Sequence, residues 1–395
     1  MSDAALRRAS WSLLAGNFAI GCGVMVVAGS LNDLTRSLQV SVAAAGQLIT
    51  VAALAMSLGA PILAALCAGW DRRRLLALAL AWYALGHAAS ALMPDYAALL
   101  PVRALSVLAA AVFTPQAAAA IAWMAPPERR GRAITFVFLG WSVASVLGMP
   151  LHSFIGETFG WRWAFGLVTL LSALSAWAVW RAVPEGVRPP SLGLDQWREL
   201  LTHPVLMAMV AVTALSGSGQ FTLFAYFAPF YRQVLQADAA QISALFFWFG
   251  GFGLLGNVLL SRHVDRVGAG RAVAWSLAGM ALSMALWPLA GQLWLMPLVL
   301  LPWALTGFAS NSAQQARLSQ AAPALAPALM ALNTSAIYLG QALGAGGGGA
   351  VVAASLAAGQ PPYVRLHWIA LAWMLAAMAL SHWVSRRIAR DPTHV

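Results

Sequence analysis

The charged residues of this sequence come in short clusters that separate long apolar runs. The clearest cluster closes the stretch Gly59-Ala-Pro-Ile-Leu-Ala-Ala-Leu-Cys-Ala-Gly-Trp-Asp71-Arg72-Arg73-Arg74. An apolar run from about Val42 ends there in one acid and three arginines, and a new run starts at Leu75. Charges packed between two hydrophobic spans mark a short loop at a membrane face. A related stretch, Gly256-Asn-Val-Leu-Leu-Ser-Arg-His-Val-Asp265-Arg266-Val-Gly268-Ala-Gly-Arg271, places its acid 194 residues after Asp71, about half of the 395-residue chain. A loop repeated at the half-length points to two related helical bundles, the pattern of a transporter built from internal repeats.

Composition excludes most other classes. Only 9% of residues are charged and 61% are hydrophobic, against about 25% charged in soluble domains. The formal net charge of +11 comes entirely from arginine, since the chain has no lysine. In an apolar chain of this kind that charge reads as loop charge facing anionic lipid, with no nucleic-acid partner. Cys22 and Cys67 both fall in apolar spans, which argues against a disulfide framework or a thiolate metal site. No cleavable leader is expected, because the first run, about Trp11 to Leu31, is long enough to span.

The apolar runs predict spans at 11–31, 43–68, 75–93, 98–124, 133–155, 163–183, 205–230, 240–260, 272–290, 294–316, 328–354 and 366–385. Connections alternate in charge. Arg7, Arg8, Arg72 to Arg74, Arg129, Arg130, Arg132, Arg181, Arg188, Arg198, Arg262, Arg266, Arg271, Arg317, Arg386, Arg387 and Arg390 fall on one side. By the positive-inside rule both termini are cytoplasmic, and the even span count agrees. The expected division is a bundle over 1–183, a Pro-rich charged linker over 184–204 carrying a short surface helix near 194–201, and a bundle over 205–395. The glycines from Gly344 to Gly349 mark a helix crossing or a bend in span 11. Pro61, Pro115, Pro150, Pro229 and Pro302 inside spans read as packing kinks or hinges.

Four stretches resemble the major facilitator superfamily. Val27-Ala-Gly29-Ser-Leu-Asn-Asp33 closes span 1; Ala45-Gly46-Gln47-Leu48 through Gly59-Ala60-Pro61 to Asp71-Arg72-Arg73 covers span 2 and its loop. Pro126-Pro127-Glu128-Arg129-Arg130-Gly131-Arg132-Ala133 enters span 5, and Gly148-Met-Pro150-Leu through Gly156 to Gly160-Trp161-Arg162 leaves it. The wording is similar to the twelve-helix drug:proton antiporter branch, the sugar- and arabinose-efflux-like permeases. The resemblance implies an all-α membrane protein of twelve helices in two pseudo-symmetric six-helix bundles. It also implies that the loop groups Asp71, Arg72, Arg73, Asp265, Arg266 and Arg271 gate transport by holding helix ends together in one state; topogenic charge alone is the other reading. The branch often carries a Glu in the middle of span 1, and aligning Phe18-Ala-Ile-Gly21 with that pattern puts Val24 there. It also carries an Arg in span 4, which falls on Arg103, though the glycine expected four residues later is Val107.

No carboxylate lies in the middle of any span, yet a proton-coupled carrier needs a titratable group facing its cavity. Asp33 and Arg103 are expected to pair or to share a water-filled cavity, with His152 as an accessory proton group; a static interfacial charge pair is the alternative. His87 and His382 read as packed or interfacial histidines. Substrate contacts are expected from Asn17, Met25, Phe113, Gln116, Trp141, Ser145, Gln220, Phe224, Tyr226, Trp248, Asn311, Gln314, Asn333, Tyr338 and Gln341, because amides in lipid are costly unless they face protein or water. Asn333, Ile337 and Gln341 repeat at helical spacing and give span 11 one polar stripe. Nothing resembles an enzyme site, and no metal or cofactor is implied.

These features predict a monomeric carrier of a bacterial-type inner membrane, exporting small amphipathic or zwitterionic molecules by alternating access and driven by proton antiport. An importer or uncoupled facilitator of the same fold remains open, as does a non-transporting membrane receptor.

Overall fold

The computed structural model describes residues 3–67, 69–126, 129–188, 194–322 and 325–390. The side chains of residues 130–132, 194–196, 261, 262, 265, 326 and 327 lie outside that description. Among the described residues the chain is helical, with no strand. Hydrocarbon offers no partner for backbone amides, so an apolar run satisfies its own as a helix. The helices are α1 (Asp3–Gly29), α2 (Leu31–Ser37), α3 (Val42–Leu66), α4 (Arg72–Leu92), α5 (Tyr96–Met124), α6 (Arg130–Val143), α7 (Met149–Thr158), α8 (Trp161–Ala182) and α9 (Leu194–Thr202). They continue with α10 (Pro204–Phe224), α11 (Phe227–Gln233), α12 (Ala239–Val267), α13 (Ala269–Leu286), α14 (Met296–Ala321), α15 (Ala326–Ala357) and α16 (Leu366–Arg390).

Each expected span corresponds to one of these helices or to a broken pair. Among the described residues, eleven are long and apolar enough to cross a membrane. The exception is α14, whose 26 residues suffice in length but whose second half carries Asn311, Gln314, Gln315, Arg317 and Gln320. The short helix expected in the linker is α9, with Leu200 buried among apolar side chains of α10, α14 and α15.

Several acids sit at span ends because they start helices. Asp71, Asp95 and Asp238 each accept hydrogen bonds from backbone amides at the first turn of α4, α5 and α12, satisfying groups the helix itself cannot. Span 5 is broken by a π-helical turn, Ala144–Gly148, between α6 and α7. Pro150 follows at once; its ring crowds the carbonyl of residue 146, and a π-turn is one way a helix absorbs that.

The chain forms two compact units, residues 1–40 with 58–191, and residues 41–57 with 192–395. The expected boundary at 184–204 leaves α3 whole in the first bundle; here its first half groups with the second unit. Inside the first unit α1 packs on α6 and α8, and α4 packs on α5 and α8. Inside the second, α10 packs on α15 and α16, and α13 packs on α14 and α16. The two units thus use one pairing scheme, as the repeated charged loop predicted.

Glycines make the closest of these contacts. A methyl on Gly340 or Gly344 would collide with the Ala214 or Ser218 carbonyl oxygen of α10. The glycine run is a helix crossing, and α15 continues through it without a break.

Candidate functional site

The first unit buries a cationic cluster at the junction of α1, α4 and α5. Arg103 of α5 is 1% exposed. Its guanidinium lies 2.8 Å from His87 Nε2 and donates to the Gly23 carbonyl of α1 at 2.7 Å. Arginine only donates, so His87 Nε2 accepts and carries no proton. The proton therefore sits on Nδ1, 2.9 Å from the Tyr83 carbonyl oxygen, which accepts it. Tyr83 stands one turn before His87 and donates to the Ile20 carbonyl at 3.1 Å. A side chain on Gly23 would collide with the Tyr83 hydroxyl, so glycine is what lets α1 approach. The Phe165 ring of α8 lies 5.8 Å from the guanidinium.

His152 of α7 is fully buried, and neither of its ring nitrogens has a hydrogen-bond partner. It is close enough to Arg103 and His87 to interact with both electrostatically. Sequence reasoning treated His87 as packing; the available signal was the i, i+4 spacing of Tyr83 and His87 on one face of span 3.

Asp33 does not pair with Arg103. Its two oxygens accept from Arg36 at 2.6 Å and from the Trp161 backbone amide at 2.7 Å. Gly160, at φ 100°, turns the chain so that this first amide of α8 points at the carboxylate. Asp33 thus caps α8 from a distant part of the chain, where a negative charge is favoured by the helix dipole. That Asp33 bonds to α8 was not legible in the sequence, because it depends on how α2 lies beside α7 and α8.

The amides expected to face substrate serve first as ties between helices. Asn17 donates to the Val137 carbonyl of α6 at 3.1 Å and accepts from Thr114 of α5 at 2.9 Å. The second unit repeats the device with two residues. Asn333 of α15 accepts from Thr213 of α10 at 2.6 Å, and Gln314 of α14 donates to the Met209 carbonyl at 2.6 Å. Two glutamine oxygens are left over: Gln116 Oε1 on α5 and Gln314 Oε1 on α14 are buried without a partner. Gln341, Tyr338 and Met25 are buried, while Asn311 is half-buried.

The aromatic candidates divide by packing. Phe113 fills the space over Gly16, and Trp141 leans half-buried on Gly21. Ser145 bonds back to the Trp141 carbonyl at 3.0 Å inside the π-turn. Phe224 joins a ring cluster with Phe227, Phe249 and Trp303, whose centroids are 5.3–5.8 Å apart. Gln220 Oε1 accepts from Trp303 at 3.4 Å at its edge. Tyr226 donates to the Ala345 carbonyl at 2.6 Å, and Trp248 packs on Phe252.

Of the two charged loops, the first is fully clasped. Asp71 accepts from the Arg73 and Arg74 amides and, at 2.6 Å, from the Gly186 amide after α8. Arg72 is buried and donates to the Trp70 carbonyl at 2.6 Å. Arg73 bridges to Glu185 at 3.0 Å and lies over the Trp180 ring. In the second loop Arg266 and Arg271 are exposed and the Asp265 side chain lies outside the described residues. Arg317 was expected among the loop charges; it is buried instead and donates to the Ser381 hydroxyl and carbonyl and to Ser385 of α16. Serines one turn apart on α16 were the only signal. Among the described residues no three His, Cys, Asp or Glu side chains come together as a metal site.

Two units of apolar helices long enough to cross a membrane define a polytopic membrane protein. The chain belongs to the Major Facilitator Superfamily, whose sequence model matches residues 13–345. It is 28% identical over 368 residues to "Inner membrane transport protein YdhP" of Escherichia coli K12, covering 93% of this chain and 95% of that one. It is 29% identical over 323 residues to a "Probable sugar efflux transporter" of Mannheimia succiniciproducens, covering 82% and 80%. Among solved structures, a D-xylose-proton symporter aligns with a TM-score of 0.77 at 20% identity, over 94% of this chain and 96% of that one. A bacterial homologue of the lysosomal transporter Spinster aligns at 0.76 and 18%, over 99% of both. The chain is a membrane transporter, in a family of transporters rather than enzymes.

Proposed function

We propose that this carrier exports small, uncharged or zwitterionic, hydroxyl-bearing molecules from a bacterial-type inner membrane by alternating access, in exchange for protons. The observation that carries the substrate class is the pair of buried, unpartnered glutamine oxygens, Gln116 in one unit and Gln314 in the other. A buried acceptor without a donor costs about 1–3 kcal/mol. A ligand hydroxyl or ammonium group removes that cost, whereas an anion that offers acceptors alone adds to it. The sugar-efflux names of relatives and the absence of mid-span carboxylates support the same class.

Proton coupling rests on the buried charge of Arg103 with its neighbouring imidazoles. The carrier works as a monomer in lipid with both termini cytoplasmic, draws on the proton gradient and needs no bound cofactor. The Asp71 and Asp265 loops act as its gates. An uncoupled facilitator or an importer is the second reading, favoured by Val24 where the resembling branch has an acid.

The test is purified protein in liposomes loaded with a pH-sensitive dye, with sugars, amphipathic drugs and zwitterions added in turn across a pH gradient. Proton movement driven by a neutral polyol supports the reading. Solute flux without proton movement replaces it with the facilitator, and flux of anions alone overturns the substrate class.

A further inference from the structure

Among the described residues no carboxylate lies in the middle of a helix long and apolar enough to cross a membrane, so the coupled proton needs another seat. Among the described residues, two imidazoles stand in the interior of the first unit, His87 and His152, both fully buried. His87 alone is bonded to a fixed charge.

We propose that His87 is the group that binds and releases the transported proton, with Arg103 as the residue that makes its protonation change the structure. This rests on the proton-coupled reading above. The geometry is the argument. In the state observed, Nε2 of His87 has its lone pair on the Arg103 guanidinium, and Arg103 spends its other terminal nitrogen on α1. A proton arriving from the aqueous phase forms an N–H bond at Nε2 and turns that acceptor into a donor. The Arg103–Nε2 hydrogen bond then breaks, and two cations face each other at a distance where water is excluded. The guanidinium must move, and the Gly23 carbonyl of α1 is released with it. Loss of the proton to water on the other side restores the bond. One protonation event is thereby converted into a change in how α1 is held to α4 and α5, a local charge event acting on a packed element.

The groups that face His87 are few. From α4 itself there is Tyr83, which bonds to α1; from α5, Arg103; from α7, His152. The near member of α1 is the Gly23 carbonyl, and α8 presents Phe165. Among the described residues no carboxylate acts on His87, Arg103 or His152, so protonation adds charge that nothing nearby neutralises.

The experiment uses the full chain in liposomes and compares wild type, H87Q, H87N and D33N. Gln keeps an acceptor for Arg103 and Asn keeps a partner for the Tyr83 carbonyl, and neither titrates. Two readouts are taken: substrate-driven proton movement, and substrate exchange at equal pH on both sides. In H87Q or H87N, exchange without proton movement, and exchange that no longer varies between about pH 5 and 8, is the expected result. D33N is expected to keep coupling. Retained proton movement in an assembled His87 variant overturns the inference and leaves proton coupling standing. Loss of coupling in D33N alone moves the seat back to Asp33 and overturns it as well. Wild type that exchanges substrate without moving protons overturns the coupled reading itself. Should neither His87 variant assemble, nitrogen-15 spectra of histidine-labelled wild type and H152Q decide. A buried imidazole that stays neutral through the pH range of transport overturns the proposal.

Discussion

At the scale of single residues, the polar side chains of this protein are mostly committed to holding helices. Asp33 caps α8 and bonds Arg36. Replacing it with Ala leaves a buried amide without its acceptor, a loss of about 1–2 kcal/mol. Asn keeps an oxygen at the cap and should lose less. Thermal unfolding in detergent should therefore rank wild type above D33N and D33N above D33A; equal midpoints for the two variants would remove the cap from the account. Arg317 makes a similar case, since its donors end on Ser381 and Ser385. An S381A/S385A double substitution should destabilise the protein by about 1–3 kcal/mol, the range for stranding a buried polar group, read as a lower midpoint. The type and depth of these residues was legible in the sequence. Their partners were not, because a partner is set by the rotation of a neighbouring helix.

At the scale of elements, the helices follow from length and apolarity, and their contacts follow from small residues. Gly340 and Gly344 face the α10 backbone, whereas Gly347, three residues on, meets open space. Val at Gly340 or Gly344 should cost about 1–3 kcal/mol by overpacking, and Val at Gly347 about 0.5 or less. The same unfolding assay checks it, and an equal loss at all three sites would mean that α15 does not cross α10 through this face. The glycine run read from sequence as a crossing or a bend, and composition could not choose between them. The π-turn over 144–148 was also out of reach, since a proline in a membrane helix can be absorbed in several ways.

At the scale of the molecule, the repeated loop and the repeated helix pairings describe one design used twice. Its orientation is open to a direct test through Cys67, which lies just past the end of α3 beside the clasped Asp71 loop. Burial raises the Cys67 thiol above its ordinary value, with the Arg72 charge pulling the other way. Less thiolate is then present at neutral pH than for a free cysteine, so maleimide labelling should be slow near pH 7 and quicken as pH rises. A membrane-impermeant reagent should reach it from the cytoplasmic face only, and Cys22, being buried, should stay unlabelled. Labelling from the outer face would invert the proposed topology.

The sequence by itself determined that the chain crosses a membrane many times, where each span falls, that the two halves repeat, and that no acid lies mid-span. All of these are one-dimensional properties: transfer into lipid is decided by the local density of apolar side chains and the placement of charge. Only the tertiary structure decided that Arg103 meets His87 and Gly23 rather than Asp33, that Asp33 caps α8, that Asn17 and Asn333 tie helices, and that Arg317 is buried. Those outcomes depend on helix rotation and register. They are set by many weak packing contacts summed over whole helices, and no single stretch of sequence carries that sum.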